Sequence, residues 1–209
     1  MKIIIFEGLD GSGKTTFIQN IKEELQAQNQ EVITLQGLGS SSIGPQIRKM
    51  FLTHENLDNQ TRLLLSFSNM IQTQEEQITP HIFSNKIILI DRWLGSNFAY
   101  RIYPSQNKRD YQIFYNLFNR FIKPDMTVYL KTNPEIGINR KRTQSNHKLD
   151  VIESSPISYF KKVEQGYDEF LKLPNLGTKI ILDTIDFTNI SQHQKNIIKK
   201  IGNIKQWQL

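Results

Sequence analysis

The sequence contains no cysteine, which excludes disulfides and thiolate metal sites. It also lacks a long apolar run. The longest purely aliphatic stretch, Ile87-Ile88-Leu89-Ile90, is far shorter than the roughly 20 residues a membrane-spanning helix needs. No internal repeat, low-complexity linker or break in composition is visible, so one domain over 1–209 is the economical expectation. Met1-Lys2 runs straight into an aliphatic segment, which predicts no signal peptide, a cytoplasmic location and no membrane partner. The four histidines (54, 81, 147 and 193) are scattered. No metal-ligand cluster, G-x-S-x-G motif or paired-carboxylate signature stands out.

What is present points to phosphate. The hydrophobic fraction is 38%, ordinary for a globular chain, and the formal charge is +6, from 26 Lys and Arg against 20 Asp and Glu. Such a balance suits nucleic acid or small polyanions such as nucleotides. The arginines lie beside phosphate-handling motifs and not in one basic block, which favours nucleotides and no nucleic-acid partner. The basic tail "KNIIKKIGNIK" reads as a solvated helix face with Ile197, Ile198, Ile201 and Ile204 turned inward.

Aliphatic runs alternate with helical stretches. Strands are predicted at 2–6, 31–35, 86–91, 125–130 and 179–182. Helices are predicted at 14–28, briefly around 43–51, and at 59–84 with an interruption near Pro80. Others fall at 93–103, 108–122, 156–172 and 188–204. Near-continuous aliphatic strands between helices imply an α/β fold, a five-stranded parallel sheet with helices on both faces.

The strongest motif is "FEGLDGSGKTT" at 6–16, a complete G-x-x-x-x-G-K-T from Gly8 to Thr15 between a strand and a helix. Gly8, Gly11 and Gly13 let the backbone turn its N–H groups around a β-phosphate, with Ser12 and Thr16 in the same loop and first helical turn. Lys14 reaches the β- and γ-phosphates, and the Thr15 hydroxyl can ligate Mg²⁺. The expected ligand is Mg-ATP in a P-loop NTPase fold. Asp10 is unusual, because a carboxylate aimed into the loop would repel a nucleotide. It either faces a second substrate bearing a hydroxyl or caps its own turn.

The third strand ends in "DRWLGSNFAY". Asp91 stands at the carboxyl edge of the sheet, where an acid can hold Mg²⁺ beside the P-loop Thr. Asp91 and Arg92 form either a metal-plus-phosphate clamp or a structural ion pair. Further basic loci are Arg48 in "IGPQIRKM" and Arg140, Lys141, Arg142 and Lys148 in "INRKRTQSNHK". The second run is either a solvated face or a source of mobile arginines for the charge that spreads over a transferring phosphoryl group. Two phosphate-holding places and a detached basic segment favour a kinase over a hydrolase or a switch.

"FEGLDGSGKTT", "IGPQIRKM", "DRWLGSNFAY" and "KLDVIE…YF" follow the order and spacing of thymidylate kinase, and the chain resembles that family over nearly its whole length. The resemblance implies a nucleoside monophosphate kinase that passes the γ-phosphate of ATP to dTMP with Mg²⁺, a lid over about 134–149, and a homodimer. It assigns ATP and metal to Lys14 and Thr15, the metal-linked acid to Asp91, and the acceptor phosphate to Arg92 and Arg48. It turns Asp10 toward the sugar of the monophosphate. Gly11 stands where some members carry a catalytic arginine, and members without it draw one from the lid, here Arg140 or Arg142.

The sequence also departs from the family pattern, most of all in the base pocket. Gln36 in "QGLGSS" replaces an arginine, Val151 in "LDVIE" replaces another, and Trp93 replaces Tyr or His. Counted back from Pro80, Ser66 falls where a Phe stacks on thymine, and Met70 where an Arg reads a carbonyl of the base. Tyr100 is retained, and Arg101 replaces Gln. Phe67 lies one residue from the stacking position, a rotation of about 100° on a helix. Phe67, Asn69, Asn97 and Trp93 are the neighbours able to rebuild the pocket. The expectation is weak activity on dTMP or a different preferred monophosphate. Two other readings stay open: a non-catalytic nucleotide-binding relative, and a deoxynucleoside kinase, against which Arg48 and Arg92 argue because a nucleoside brings no phosphate.

Overall fold

A computed structural model of the protein describes residues 1–143, 149–184 and 189–204. Five strands, β1 (Lys2–Gly8), β2 (Val32–Gln36), β3 (Ile87–Asp91), β4 (Met126–Lys131) and β5 (Thr178–Asp183), form one parallel sheet in the order β2-β3-β1-β4-β5. The expected parallel α/β architecture is borne out, and each expected strand agrees with an observed one to within a residue at either end, except that β1 runs two residues further, to Gly8. In register, Phe6 pairs with Asp91 and Gly8 with Leu130. The carboxyl ends of β1 and β3 therefore open side by side. The order places β1 between β3 and β4, where connections diverge to opposite sides and open α/β sheets bind ligands.

Strand alternation builds two cores. Ile3 and Ile5 of β1 join Phe67, Trp93, Phe98, Tyr129 and Tyr167 on one face. Ile4 and Phe6 join Phe17, Ile21, Leu89, Val128 and Ile201 on the other. Each such fully buried side chain contributes about 1.5–3 kcal/mol. The helices covering the sheet are α1 (Lys14–Ala27), α2 (Gly44–Thr53), α3 (Asn59–Thr73), α4 (Leu94–Asn97), α5 (Lys108–Phe118), α6 (Pro134–Arg142), α7 (Ile157–Phe170) and α8 (Ile190–Asn203).

Three segments differ from their expected form. The long helix over 59–84 is α3, capped by the Asp58 carboxylate, followed by a π-helical turn at Gln74–Ile78 and a 3₁₀ turn at Thr79–His81. Pro80 has no N–H to continue the ladder. The helix over 93–103 is α4 running into a π-helical turn, Phe98–Ile102, a distortion often found where side chains must be aimed at a site. Within the expected lid, residues 134–142 form α6, capped by Asn133 and burying Pro134, Gly137 and Ile138. Residues 144–148, Lys148 among them, lie outside the described residues.

Candidate active site

The loop between β1 and α1 turns on left-handed glycines, Gly11 at φ 75° and Gly13 at φ 83°. Gly13 caps α1 without a side chain, so the first N–H groups of the helix are left for an anion. Lys14 folds back over the loop. Its Nζ donates to the carbonyls of Gly8 (3.0 Å) and Leu9 (2.8 Å) and to Ser12 Oγ (3.3 Å). The sequence suggests that Lys14 stands in solvent on its loop; it is instead 5% exposed. Burial and the charge of Arg92 bring its ammonium down to about 8, against the pull of Asp91, Asp10 and Glu7. Thr15 and Thr16 are exposed at the start of α1.

Gly11 is fixed from outside as well. A Cβ there would lie 1.9 Å from the Gly137 carbonyl oxygen, so α6 rests directly on the loop. An arginine at position 11 would not fit. From α6, Arg140 Nη1 donates to the Thr184 carbonyl (3.1 Å) and lies 3.5 Å from the Gly11 carbonyl oxygen. Arg142 points elsewhere, toward the carbonyls of Ser155 (3.2 Å) and Glu153 (3.5 Å). The structure thus brings one of the two candidate arginines to the P-loop.

Asp10 turns away from the phosphate cradle. One carboxylate oxygen accepts from Arg92 Nη2 at 2.7 Å and the other from the Tyr100 hydroxyl at 2.9 Å. Burial pushes the carboxyl up, but the charges of Arg92 and Lys14 and the Tyr100 hydrogen bond prevail and hold it at about 2. Arg92 has a left-handed backbone, φ 66°, uncommon for a residue with a side chain. Its guanidinium also donates to the Gly8 carbonyl (2.8 Å), Tyr167 Oη (3.1 Å) and Ser96 Oγ (3.3 Å), and lies 5.2 Å from the centre of the Tyr100 ring. The ion partner of Arg92 is therefore Asp10; Asp91 beside it in sequence has another setting.

The Thr15 hydroxyl donates to Asp91 Oδ2 at 3.4 Å, while Asp91 Oδ1 is buried with no partner among the described residues. An unsatisfied carboxylate oxygen beside a P-loop hydroxyl is the donor set Mg²⁺ takes, since that ion keeps waters and phosphate oxygens for its remaining positions. No group of three or more His, Cys, Asp or Glu that could hold a metal occurs among the described residues. Arg48 is exposed and donates to the Leu38 carbonyl at 3.0 Å. The same loop packs against Arg92, since a Cβ on Gly37 would lie 2.0 Å from the Arg92 carbonyl oxygen.

The residues expected around the base lie on α3 and in residues 94–102, two segments packed against each other. Ser66 Oγ and Asn97 Nδ2 both face the Met70 sulfur, at 4.0 and 3.1 Å. Three of the four neighbours able to rebuild a thymine site are committed to other tasks. Phe67 packs against Phe121 (5.7 Å) and Phe114 (6.3 Å). Asn69 holds the Gly37 carbonyl and the Ser41 hydroxyl. Trp93 is 1% exposed against Phe121. Asn97 is spent on the Met70 sulfur as well, and Arg101 lies over the Phe51 ring at 4.9 Å. Val151, standing where the family has arginine, ties its backbone N–H to the Leu52 carbonyl at 3.3 Å.

Two residues of this site were missed in the sequence. Glu7 is 1% exposed and accepts from the Trp93 N–H (2.9 Å) and Ser96 Oγ (2.6 Å). Burial raises its carboxyl above the usual range, despite those hydrogen bonds and Arg92. Tyr167 donates to the Gly8 carbonyl at 3.1 Å and shares the Arg92–Ser96 cluster. A signal for Glu7 exists, because alternation puts a charged residue in line with Ile3 and Ile5 on a core-facing edge. Tyr167 sits at core spacing with Phe160, Val163 and Phe170, and nothing in the sequence separates it from them.

Comparison with known proteins agrees with this arrangement. Residues 6–194 match the family model described as thymidylate kinase. The chain is 31% identical over 173 residues to the thymidylate kinase of Caldanaerobacter subterraneus subsp. tengcongensis, covering 82% of each chain. It is 34% identical over 172 residues to that of Acinetobacter baumannii strain AYE, covering 81% of this chain and 85% of the relative. With the thymidylate kinase of Acholeplasma laidlawii the identity is 31% over 166 residues, covering 78% and 82%.

Proposed function

The chain belongs to the thymidylate kinase family, and from that membership and the site geometry we propose that it transfers the γ-phosphoryl group of Mg-ATP to dTMP. The observation that carries this reading is the direction of Asp10. A P-loop carboxylate turned outward onto Arg92 and Tyr100 gives the loop a second working face, one that offers a guanidinium to an acceptor phosphate and a carboxylate to its sugar. A hydrolase or switch needs no such face.

The residue roles follow from position. The loop N–H groups and Lys14 hold the ATP phosphates, and Thr15 and Asp91 hold Mg²⁺. The metal supplies charge neutralisation to the phosphates when bound. Lys14 gives up contacts to backbone carbonyls as the triphosphate enters, and the negative charge favours its protonated form. Arg92 and Arg48 draw the acceptor phosphate toward the loop. Arg92 is half-buried and fixed by four partners, so it loses little freedom when it binds. Arg140, across the P-loop, supplies charge to the transferring group, and 134–149 serves as the lid of a single domain. Arg142 braces the lid against residues 153–155.

Exposed Ile43, Met50, Leu64 and Ile71 on and beside α2 and α3 give an apolar surface that suits the homodimer typical of the family. No described helix is long and apolar enough to cross a membrane, which accords with a cytoplasmic enzyme.

The test is phosphorylation of a panel of deoxynucleoside monophosphates and of the matching nucleosides with the same Mg-ATP. Transfer to dTMP, ahead of the other monophosphates and with no transfer to thymidine, is expected. Transfer to thymidine would make the chain a nucleoside kinase, and Mg-ATP binding with no transfer to any acceptor would make it a non-catalytic relative.

A further inference from the structure

Glu7 puts a carboxylate on the core-facing side of β1, one residue before the P-loop glycine Gly8, where transfer of a phosphoryl group needs none. It is 1% exposed. Burying an ionisable group costs free energy unless its partners are fixed and complete. Here both oxygens are taken. Oε1 accepts from the Trp93 N–H at 2.9 Å, and Oε2 accepts from Ser96 Oγ at 2.6 Å. The turn after β3 is pressed onto this carboxylate, since a Cβ on Gly95 would lie 2.8 Å from both its Cδ and its Oε1. A position in line with Ile3 and Ile5 that had only a packing role would be better served by an apolar side chain.

Both hydrogen bonds lead to Arg92. Its backbone is left-handed, φ 66°, a conformation that costs free energy for a residue with a side chain and has to be held by its surroundings. The two amides that flank Arg92 are both tied to β1. The Arg92 N–H donates to the Phe6 carbonyl at 2.9 Å, and the Trp93 N–H donates to Glu7. Peptide units are rigid planes, so fixing one on each side of a residue fixes its φ and ψ. The second oxygen of Glu7 works on the side chain. Ser96 gives its one proton to Glu7, which leaves its Oγ to accept, and Arg92 Nη1 donates to it at 3.3 Å. Tyr167 Oη lies 2.9 Å from the same Ser96 oxygen and 3.1 Å from Arg92 Nη1. The carboxylate therefore holds Arg92 at its backbone and at its guanidinium, each through one intermediary.

We infer that Glu7 is a positioning residue for phosphoryl transfer: its two oxygens, one on the Trp93 N–H and one on Ser96, fix the backbone and the guanidinium of Arg92 in the direction that receives the acceptor phosphate. This rests on the proposal that Arg92 takes that phosphate. The reach of Glu7 matters here, and its charge does not. By Coulomb's law alone a carboxylate behind Arg92 opposes a phosphate in front of it. What it supplies is a pair of acceptors at set positions, which keeps the guanidinium aimed before the ligand enters. A side chain of the same length that still accepts from the Trp93 N–H keeps most of this effect, and a carboxylate one methylene shorter does not.

The test sets Glu7→Gln, which keeps the reach and loses the charge, against Glu7→Asp, which keeps the charge and loses the reach. Calorimetry gives Kd for dTMP, thymidine and Mg-ATP on the wild type and on each variant, alone and combined with Arg92→Ala. The ratio of the thymidine Kd to the dTMP Kd reports the hold on the phosphate alone. Glu7→Asp should lower that ratio about tenfold, with thymidine and Mg-ATP binding changed by less than about threefold. Glu7→Gln should stay within about threefold of the wild-type ratio. In the Arg92→Ala background neither substitution should lower the ratio further, because the residue they act through is gone. A wild-type ratio in Glu7→Asp would overturn the inference, and so would equal losses in Glu7→Asp and Glu7→Gln, which would make the charge the active part. Weakened binding of all three ligands alike would make Glu7 structural, and a further fall of the ratio in Arg92→Ala would give it a route that bypasses Arg92; either overturns the inference. If Glu7→Asp does not fold, Ser96→Ala takes its place. It should lower the ratio about threefold with Arg92 present and leave it unchanged in Arg92→Ala; an unchanged ratio with Arg92 present would overturn the inference. All of these outcomes leave the kinase reading intact. A wild type that binds dTMP no better than thymidine removes that reading, and this one with it.

Discussion

The two ends of the cleft are built differently. At the phosphate end, polar groups largely satisfy one another, Asp91 Oδ1 apart: Asp10 by Arg92 and Tyr100, Lys14 by loop carbonyls, Arg92 by four partners. At the base end the contacts are soft or missing. Ser66 and Asn97 face a thioether sulfur, and one edge of Arg101 has no partner. Electrostatic work on a transferring phosphoryl group rewards groups fixed in advance. The same contrast appears in the sequence, where the phosphate motifs are largely present and the base motifs are altered.

Substitutions should separate the two ends. The largest effect is expected from Lys14→Ala, which should lower kcat by about 10³-fold or more, because its charge acts on the migrating group. Retention of the preference for dTMP among monophosphates in the residual activity would confirm that the ends work separately. Phe67→Ala, next to Ser66 on α3, should cost about 3–5 kcal/mol in urea unfolding, because it opens a cavity between Phe114 and Phe121. The preference among monophosphates should stay as it was; a change in base preference would mean that Phe67 touches the base.

Asp10→Asn gives a pH signature. The Asp10 carboxyl is held at about 2 in the fold against an ordinary 3.8. Its ionised form therefore contributes stability that is complete above about pH 4 and is lost as pH falls toward 2. The stability difference between wild type and Asp10→Asn should shrink by about 2 kcal/mol over that window, as followed by denaturant unfolding. A constant difference would mean that Arg92 does not hold the carboxylate. The smallest expected effect separates the two lid arginines. Arg140→Ala should lower kcat about tenfold or more with little change in KM for ATP, and Arg142→Ala should change kcat less than threefold. Equal losses would return Arg142 to the site.

The sheet and the P-loop were legible because each rests on a local rule. Aliphatic runs such as 87–90 form buried parallel strands, and Gly11, Gly13 and Lys14 have fixed offsets. The outward turn of Asp10 was legible too, from charge repulsion alone. Other features depend on contacts between distant segments. Arg92 pairs with Asp10 across 82 residues, so its sequence neighbour Asp91 was the wrong place to look for its partner. Lys14 is buried because its side chain folds back onto the carbonyls of Gly8 and Leu9, which leaves no trace in the spacing. The helix over 93–103 followed helical periodicity, but its π-helical turn, which shifts the faces presented by Tyr100 and Arg101, follows from tertiary packing. Phe67 looked able to stack on a base until the structure put it against two other aromatic rings.

The central claim, that the second face of the P-loop takes the phosphate of a thymidine nucleotide, is tested most directly by ³¹P NMR. A single reaction would contain the wild-type protein, Mg-ATP and equal amounts of dTMP and thymidine. The account predicts growth of the α- and β-phosphorus signals of dTDP as the ATP signals fall, with no new dTMP formed from thymidine. Release of inorganic phosphate without dTDP, or conversion of thymidine to dTMP, would contradict it.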